Sequence, residues 1–172
     1  LTQVTAITTP SNNTTPSYVF TTDEAGTIST SISQGFSTSS SASTGSDQTI
    51  IFNTLPEGTY SGETITVTDT AGNPGSITIP DFVIDTAAPT VSSFTLSDSA
   101  LKSGETATVE LVFSEAVTGF ASDDVTVPNG SLSTMTSSDN ITWTGTYTPT
   151  ADIEDDSNVL TLATSYTDTA GN

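Results

Sequence analysis

Val67-Thr68-Asp69-Thr70-Ala71-Gly72-Asn73 returns about a hundred residues later as Ser165-Tyr166-Thr167-Asp168-Thr169-Ala170-Gly171-Asn172. In both places an alternating, strand-prone run ends in an acidic residue and a turn of small residues. Gly tolerates the positive φ that such a turn needs, and Asn tolerates it better than most residues. A second pair repeats alongside it: Phe20-Thr21-Thr22-Asp23-Glu24-Ala25 and Val112-Phe113-Ser114-Glu115-Ala116 both leave an apolar run through Glu followed by Ala. Two copies of one acidic pattern read as two related domains of about 85 residues each, drawn at residues 1–85 and 86–172.

Working outward from the repeat, helical periodicity is nearly absent. Short alternating runs of Thr, Ile, Val and Phe recur every eight to twelve residues between Gly, Pro, Asn and Asp, the spacing of an antiparallel β-sandwich. In the first domain strands are expected near Gln3–Thr8, Tyr18–Thr22, Gly26–Ser33, Thr49–Asn53, Thr64–Thr68 and Ser76–Ile84. The stretch from Ser37 to Ser46 is nearly all Ser, Thr, Ala and Gly and reads as a loop or weak edge strand. Tyr60, just before the run Thr64–Thr68, is expected to bury its ring and bond its hydroxyl to backbone at a corner. Asp85-Thr86-Ala87-Ala88-Pro89-Thr90 is the boundary, where Pro89 fixes its own φ and biases Ala88 toward extension.

In the second domain strands are expected over Val91–Leu96, Thr106–Phe113, Asp124–Val127, Ser131–Met135, Ile141–Tyr147 and Val159–Tyr166. Trp143 shares a face with Ile141, Gly145 and Tyr147 and reads as a core residue. The first domain continues past Asn73 into another strand, but the given sequence ends at Asn172. The second sandwich is therefore expected to lack its last strand and to expose an unpaired edge. Leu1, Val4, Ala6 and Ile7, in the extended N-terminal segment, are candidate donors of a strand to that edge in a neighbouring copy.

Acidic residues number 20 against a single basic one, Lys102, for a formal charge of −19. Phosphate backbones are bound through Lys and Arg clusters, so nucleic acid is excluded as a partner, and anionic membrane surfaces with it. No apolar run is long enough to insert in a membrane. A divalent cation relieves repulsion among carboxylates and is the partner such a charge invites, although the charge also serves solubility. With no Cys there are no disulfides, and a domain of about 85 residues buries only ~60–65% of its unfolded surface, so each domain needs other support. The Ser- and Thr-rich composition points to a secreted or surface location.

If strands alternate in direction, the turn after the second strand and the turn after the repeated Asp return to one pole. Glu115 and Asp168 are then expected to point at the linker, which carries Asp85. Three carboxylates in one small volume fit Ca²⁺, which takes six to eight hard oxygens at ~2.3–2.6 Å. Zn²⁺ is disfavoured without His or Cys. Carbonyls near Glu57 and Gly58 are candidates to complete the shell. Glu24 and Asp69 are the matching, partial site of the first domain. The competing reading is that Asp69 and Asp168 accept N–H groups within their own turns.

An enzyme is disfavoured, because Ser-His and Cys-His arrangements are unavailable and Asp123 and Asp124, as strand neighbours, point to opposite faces. A carbohydrate- or protein-binding module would need Tyr18, Tyr60, Trp143 and Tyr147 exposed together.

At these residues the sequence resembles the bacterial Ig-like repeats of giant surface adhesins and biofilm-associated proteins. The first domain carries the resemblance through TPSNNTTPSYVF (residues 9–20), DEAGTI (23–28), IIFNTLPEGTYSGETITVTDTAGN (50–73) and FVIDTAAPT (82–90). The second carries it through LKSGETATVELVFSEAVTGFASDDVTV (101–127). The resemblance implies two tandem Ig-like sandwiches without catalytic activity, acting as an extracellular spacer rod at a bacterial surface. It implies neighbouring Ig-like domains of the same array as partners and Ca²⁺ as the stiffening ion at domain junctions. A self-assembling fibre subunit, polymerising by strand donation, is the alternative.

Overall fold

The computed structural model describes residues 1–172, which divide into two compact units, Leu1–Thr86 and Ala87–Asn172. Both are all-β, and their ladders are antiparallel.

In unit 1 the strands are β1 (Thr2–Thr5), β2 (Ser17–Thr21), β3 (Gly26–Thr30), β4 (Ser41–Ala42), β5 (Asp47–Ile51), β6 (Gly58–Tyr60), β7 (Thr64–Thr68), β8 (Pro74–Thr78) and β9 (Phe82–Ile84). One sheet has the order β1-β2-β5, a second β4-β3-β7-β8, and β6 pairs with β9. Period-two alternation decides which side chains face inward: Tyr18 and Phe20 of β2 and Ile65 and Val67 of β7 are buried, with Ser17, Val19 and Thr21 on the other face of β2 and Thr64, Thr66 and Thr68 on that of β7. The Ser/Thr-rich stretch contributes only the two-residue edge strand β4.

Two features differ from the sequence reading. The expected strand Ser76–Ile84 is two strands, because Pro80 has no N–H to give a ladder. The chain turns there, and β9 leaves β8's sheet to lie on β6, with Tyr60 opposite Phe82. The N-terminal residues named as strand donors are used within unit 1 itself. Val4 lies in β1, which pairs with β2, while Ile7 is buried in the core and Leu1 packs against it. Donating this segment elsewhere would empty those positions.

Unit 2 contains β10 (Val91–Leu96), β11 (Ala107–Phe113), β12 (Val117–Thr118), β13 (Val125–Thr126), β14 (Gly130–Leu132), β15 (Thr142–Pro149), β16 (Thr161–Leu162) and β17 (Thr167–Asp168). A sheet of order β10-β11-β15-β14 faces the short ladders β12-β17 and β13-β16. β11 alternates strictly, burying Ala107, Val109, Leu111 and Phe113. Trp143 packs against that core, with its ring centroid 4.9 Å from that of Phe120. Between β10 and β11, Lys102 sits in an exposed turn closed by its backbone N–H on Glu105 Oε2 at 2.9 Å and by the Glu105 N–H on its carbonyl at 3.0 Å.

The expected strand Val159–Tyr166 is reduced to β16, with β17 following four residues later. Its partner is interrupted too: a 3₁₀ turn at Ser122–Asp124 separates β12 from β13. There Asp124 accepts the Ala121 N–H at 2.8 Å and the Ser165 hydroxyl on its carboxylate, and the Ala163 N–H on its carbonyl at 2.8 Å. β16 and β17 pair only with β13 and β12, whereas β7 in unit 1 has a strand on each side.

The cores differ in closure. The core cluster of unit 1 holds fourteen buried apolar residues with four more half-buried against it; that of unit 2 holds eight, with another eight half-buried. Half of the apolar side chains that build the second core thus retain contact with water.

Candidate metal centre

The repeated turn is built by its Asp. Asp168, at the end of β17, is 2% exposed. Its Oδ1 accepts the N–H groups of Ala170, Gly171 and Asn172 at 2.8, 2.7 and 3.0 Å, and its Oδ2 accepts the Asn172 side-chain amide at 2.8 Å. Gly171 adopts the positive φ, 95°, that lets the chain curl around the carboxylate. Burial works against ionisation here, but the Asn172 amide and the three backbone N–H groups outweigh it and hold the carboxyl below the usual range.

Asp69 repeats the arrangement in unit 1. Its Oδ1 accepts the N–H groups of Ala71 and Asn73, and its Oδ2 accepts the Asn73 amide, each at 2.8 Å. Gly72 has φ 92°. The Asn73 side chain is the main reason the Asp69 carboxyl is also held low. Both Asp residues therefore do what the competing reading assigned to them, organising their own turns.

Asp168 does more than this. Its carboxylate lies with those of Asp85 and Glu115, one oxygen from each falling within 4.8 Å of the others. Asp85 follows β9, with its N–H on the Ser11 carbonyl at 3.1 Å. Glu115 follows β11 in a loop pinned by reciprocal bonds: the Ser114 N–H donates to the Thr90 carbonyl at 2.8 Å and the Thr90 N–H to Ser114 Oγ at 2.9 Å. Asp85 and Glu115 are half-buried. Two oxygens bound to one Ca²⁺ lie at most about 5 Å apart, twice the ~2.3–2.6 Å bond length, so the spacing fits that ion. The donor set of three carboxylates and no nitrogen or sulfur suits a hard cation, and Asp168 Oδ2 keeps a lone pair beyond the one Asn172 occupies.

The first-domain pair behaves differently. Glu24 is exposed, and neither it nor Asp69 belongs to a group of three metal-ligating side chains. Glu57, expected near the shell through its carbonyl, accepts the Thr86 hydroxyl on Oε2 at 2.9 Å.

The other candidate residues serve the fold. Tyr18 and Tyr147 are buried, while Tyr60 and Trp143 are half-buried, spread over two cores, so no common aromatic platform forms. Tyr60 donates its hydroxyl to the Pro56 carbonyl at 2.8 Å and stacks on Phe82 at 4.8 Å, the corner role read for it. Asp123 and Asp124 lie in the 3₁₀ turn rather than on a strand.

Sequence reasoning missed a cleft of about 460 Å³ in unit 2. Leu96, Leu101, Ile153 and Leu160 contribute its apolar lining, and Asp98, Asp155 and Asp156 its acidic lining. Ile153 and Val159, apolar residues exposed beside an acidic loop, were the available signal.

Among known families, a model described as bacterial Ig-like domain matches residues 85–172, a span that begins at Asp85 and contains all three clustered carboxylates. No curated protein and no solved structure matches the chain.

Proposed function

The chain belongs to the bacterial Ig-like domain family, and from that membership we propose that it is a non-catalytic structural spacer of a bacterial surface adhesin, stiffened by Ca²⁺. The observation that carries this reading is the approach of Asp85, Glu115 and Asp168 to within 4.8 Å. Left to themselves three carboxylates repel, and a shared Ca²⁺ removes that repulsion. The ion supplies charge neutralisation and a fixed distance, with no bond made or broken. Asp168 is preorganised for this task, since its turn holds the carboxylate ionised and in place before any ion arrives.

The cell-surface placement is part of the proposal. It is supported by a composition with no Cys and one basic residue, and by a charge of −19 that keeps neighbouring copies apart in an array. Neighbouring Ig-like domains of the same array are the proposed partners. No helix of the chain is long and apolar enough to cross a membrane.

Isothermal titration of Ca²⁺ into the chelator-treated chain, paired with thermal unfolding, tests the reading. Extracellular Ca²⁺ modules bind at ~10⁻⁴–10⁻³ M, so saturation at a few times that range raises the unfolding temperature. Absence of both heat and thermal shift at about 10 mM Ca²⁺, well above that range, would retire the metal and leave a metal-free spacer.

A further inference from the structure

Asn129 and Gly130 form the turn that leads into β14, and no other Asn in the chain is followed by Gly. Asn129 adopts a left-handed φ of 48°. Gly130 is imposed by packing, since a Cβ there would fall 2.4 Å from the Tyr147 ring and 2.7 Å from the Thr148 carbonyl oxygen. The Tyr147 hydroxyl also holds the turn, donating to the Asn129 carbonyl at 3.2 Å. The fold therefore keeps this dipeptide in place and leaves no side chain at residue 130 to shield its nitrogen.

That nitrogen lies outside the ladder. The Thr150 N–H donates to the Asn129 carbonyl and the Ser133 N–H to the Thr146 carbonyl, both at 2.9 Å, so Gly130, opposite Pro149, falls at a non-bonded position of the pairing. Its N–H points away from β15. The Asn129 side chain, meanwhile, spends both amide hydrogens on the segment after β15: Nδ2 donates to Asp155 Oδ2 and to Asn158 Oδ1, each at 2.9 Å. This segment carries Asp152, Glu154, Asp155 and Asp156, all exposed, with Asp152 at a φ of 61°. Its internal bonds are local: the Ser157 N–H and hydroxyl donate to Asp155 Oδ1, and the Asn158 amide donates to the Asp155 carbonyl. Asn129 ties them to the hairpin.

We propose that Asn129-Gly130 is a self-modification site, and that its deamidation is a one-way latch that frees the acidic segment Asp152–Asn158. The Gly130 nitrogen attacks Asn129 Cγ; a Cγ–N bond forms as the Cγ–Nδ2 bond breaks, and Nδ2 leaves as ammonia with the Gly130 proton. Water then opens the cyclic imide at one of its two C–N bonds, leaving aspartate or isoaspartate at residue 129. Either product replaces a donor of two hydrogens by a carboxylate with none. The new carboxylate faces Asp155, whose own carboxyl the Ser157 hydroxyl holds below the usual range, and two like charges at that separation repel. The inference is independent of the metal reading, because neither the latch nor its partners belong to the carboxylate trio.

The test uses the full chain, kept in mildly alkaline buffer, where the amide nitrogen gives up its proton more readily, with mildly acidic buffer as the control. Peptide mass mapping is expected to find Asn129 converted before any other Asn, with isoaspartate among the products. Release is read with a glutamate-specific protease, whose cut after Glu154 reports how often the segment opens and whose cut after the exposed Glu57 is the reference. The aged chain is expected to be cut after Glu154 at least about tenfold faster, from the loss of two hydrogen bonds, one of them to a carboxylate. An Asn129→Asp variant, whose Asp tolerates the left-handed φ, is expected to match it without ageing. Adding Asp155→Asn to that variant exchanges donor and acceptor and is expected to restore the rate of the unmodified chain. The proposal is overturned if Asn129 persists through the alkaline incubation, if Asn129→Asp is cut no faster than the unmodified chain, or if the double variant is cut as fast as the single one.

Discussion

Asn172 reaches Asp168 from two directions, its side-chain amide on Oδ2 at 2.8 Å and its backbone N–H on Oδ1 at 3.0 Å. With the Ala170 and Gly171 N–H groups added, the carboxylate is the hub of its turn. Asp168→Ala leaves those clustered, partly buried donors without their acceptor, at a cost of about 1–3 kcal/mol to unit 2. Asp69→Ala is expected to cost unit 1 less, because Asp69 is more exposed and water can replace it. Calorimetry in metal-free buffer on the two variants checks the order, and an equal loss in both contradicts it.

Glu115→Gln separates the two roles of the carboxylate group. Without metal the substitution removes one of three mutually repelling charges, so the unfolding temperature is expected to hold or rise. With Ca²⁺ it removes a charged ligand, and affinity is expected to fall by at least about tenfold, since affinity follows ligand charge. The effect on stability thus changes sign with calcium. A loss of stability that is the same in both buffers would mark Glu115 as a packing residue only.

Acid unfolding follows from the depressed carboxyls. Asp69, Asp139, Asp155 and Asp168 are all held below the ordinary aspartate value of 3.8, Asp139 chiefly by the Thr142 N–H and Asp155 chiefly by the Ser157 hydroxyl. A depressed folded-state pKa contributes stability that is fully present above the unfolded value and lost as pH falls through the folded one. Stability from these four is expected to hold above pH 3.8 and to decline below it. Denaturant midpoints measured from pH 7 to pH 2 read this directly; a decline complete by pH 5 would contradict it.

Tyr60→Phe removes the hydrogen bond to Pro56 and keeps the stack on Phe82. The expected loss is about 0.5–1.5 kcal/mol, confined to unit 1. Phe82→Ala, which empties a site 1% exposed, is expected to cost about 3–5 kcal/mol. Unfolding midpoints should therefore rank Phe82→Ala well below Tyr60→Phe.

Where local pattern decided the structure, the sequence was readable. β7 spans Thr64–Thr68 and β10 spans Val91–Leu96, the limits their alternation indicates. Of the candidate metal ligands, the repeated turn that holds Asp168 was legible, because Gly171 and Asn172 follow it in sequence as Gly72 and Asn73 follow Asp69. The shortened β16 was not, because its break is set by a neighbour remote in sequence. Asp124 turns out of line and takes the Ala163 N–H and the Ser165 hydroxyl. The cleft was hidden for a related reason. Its walls, Leu96–Leu101 and Asp155–Leu160, are brought together by folding, and each alone reads as an ordinary polar loop with a few apolar residues.

The Lys102 turn decides how this chain meets proteolysis. With no other Lys or Arg in 172 residues, an enzyme that cuts after basic residues finds one susceptible bond, Lys102–Ser103. That bond lies between β10 and β11, which pair along their length from Val91 opposite Phe113 to Leu96 opposite Val109. A single nick therefore leaves two fragments still zipped into one sheet, and a module that tryptic digestion marks without dismantling.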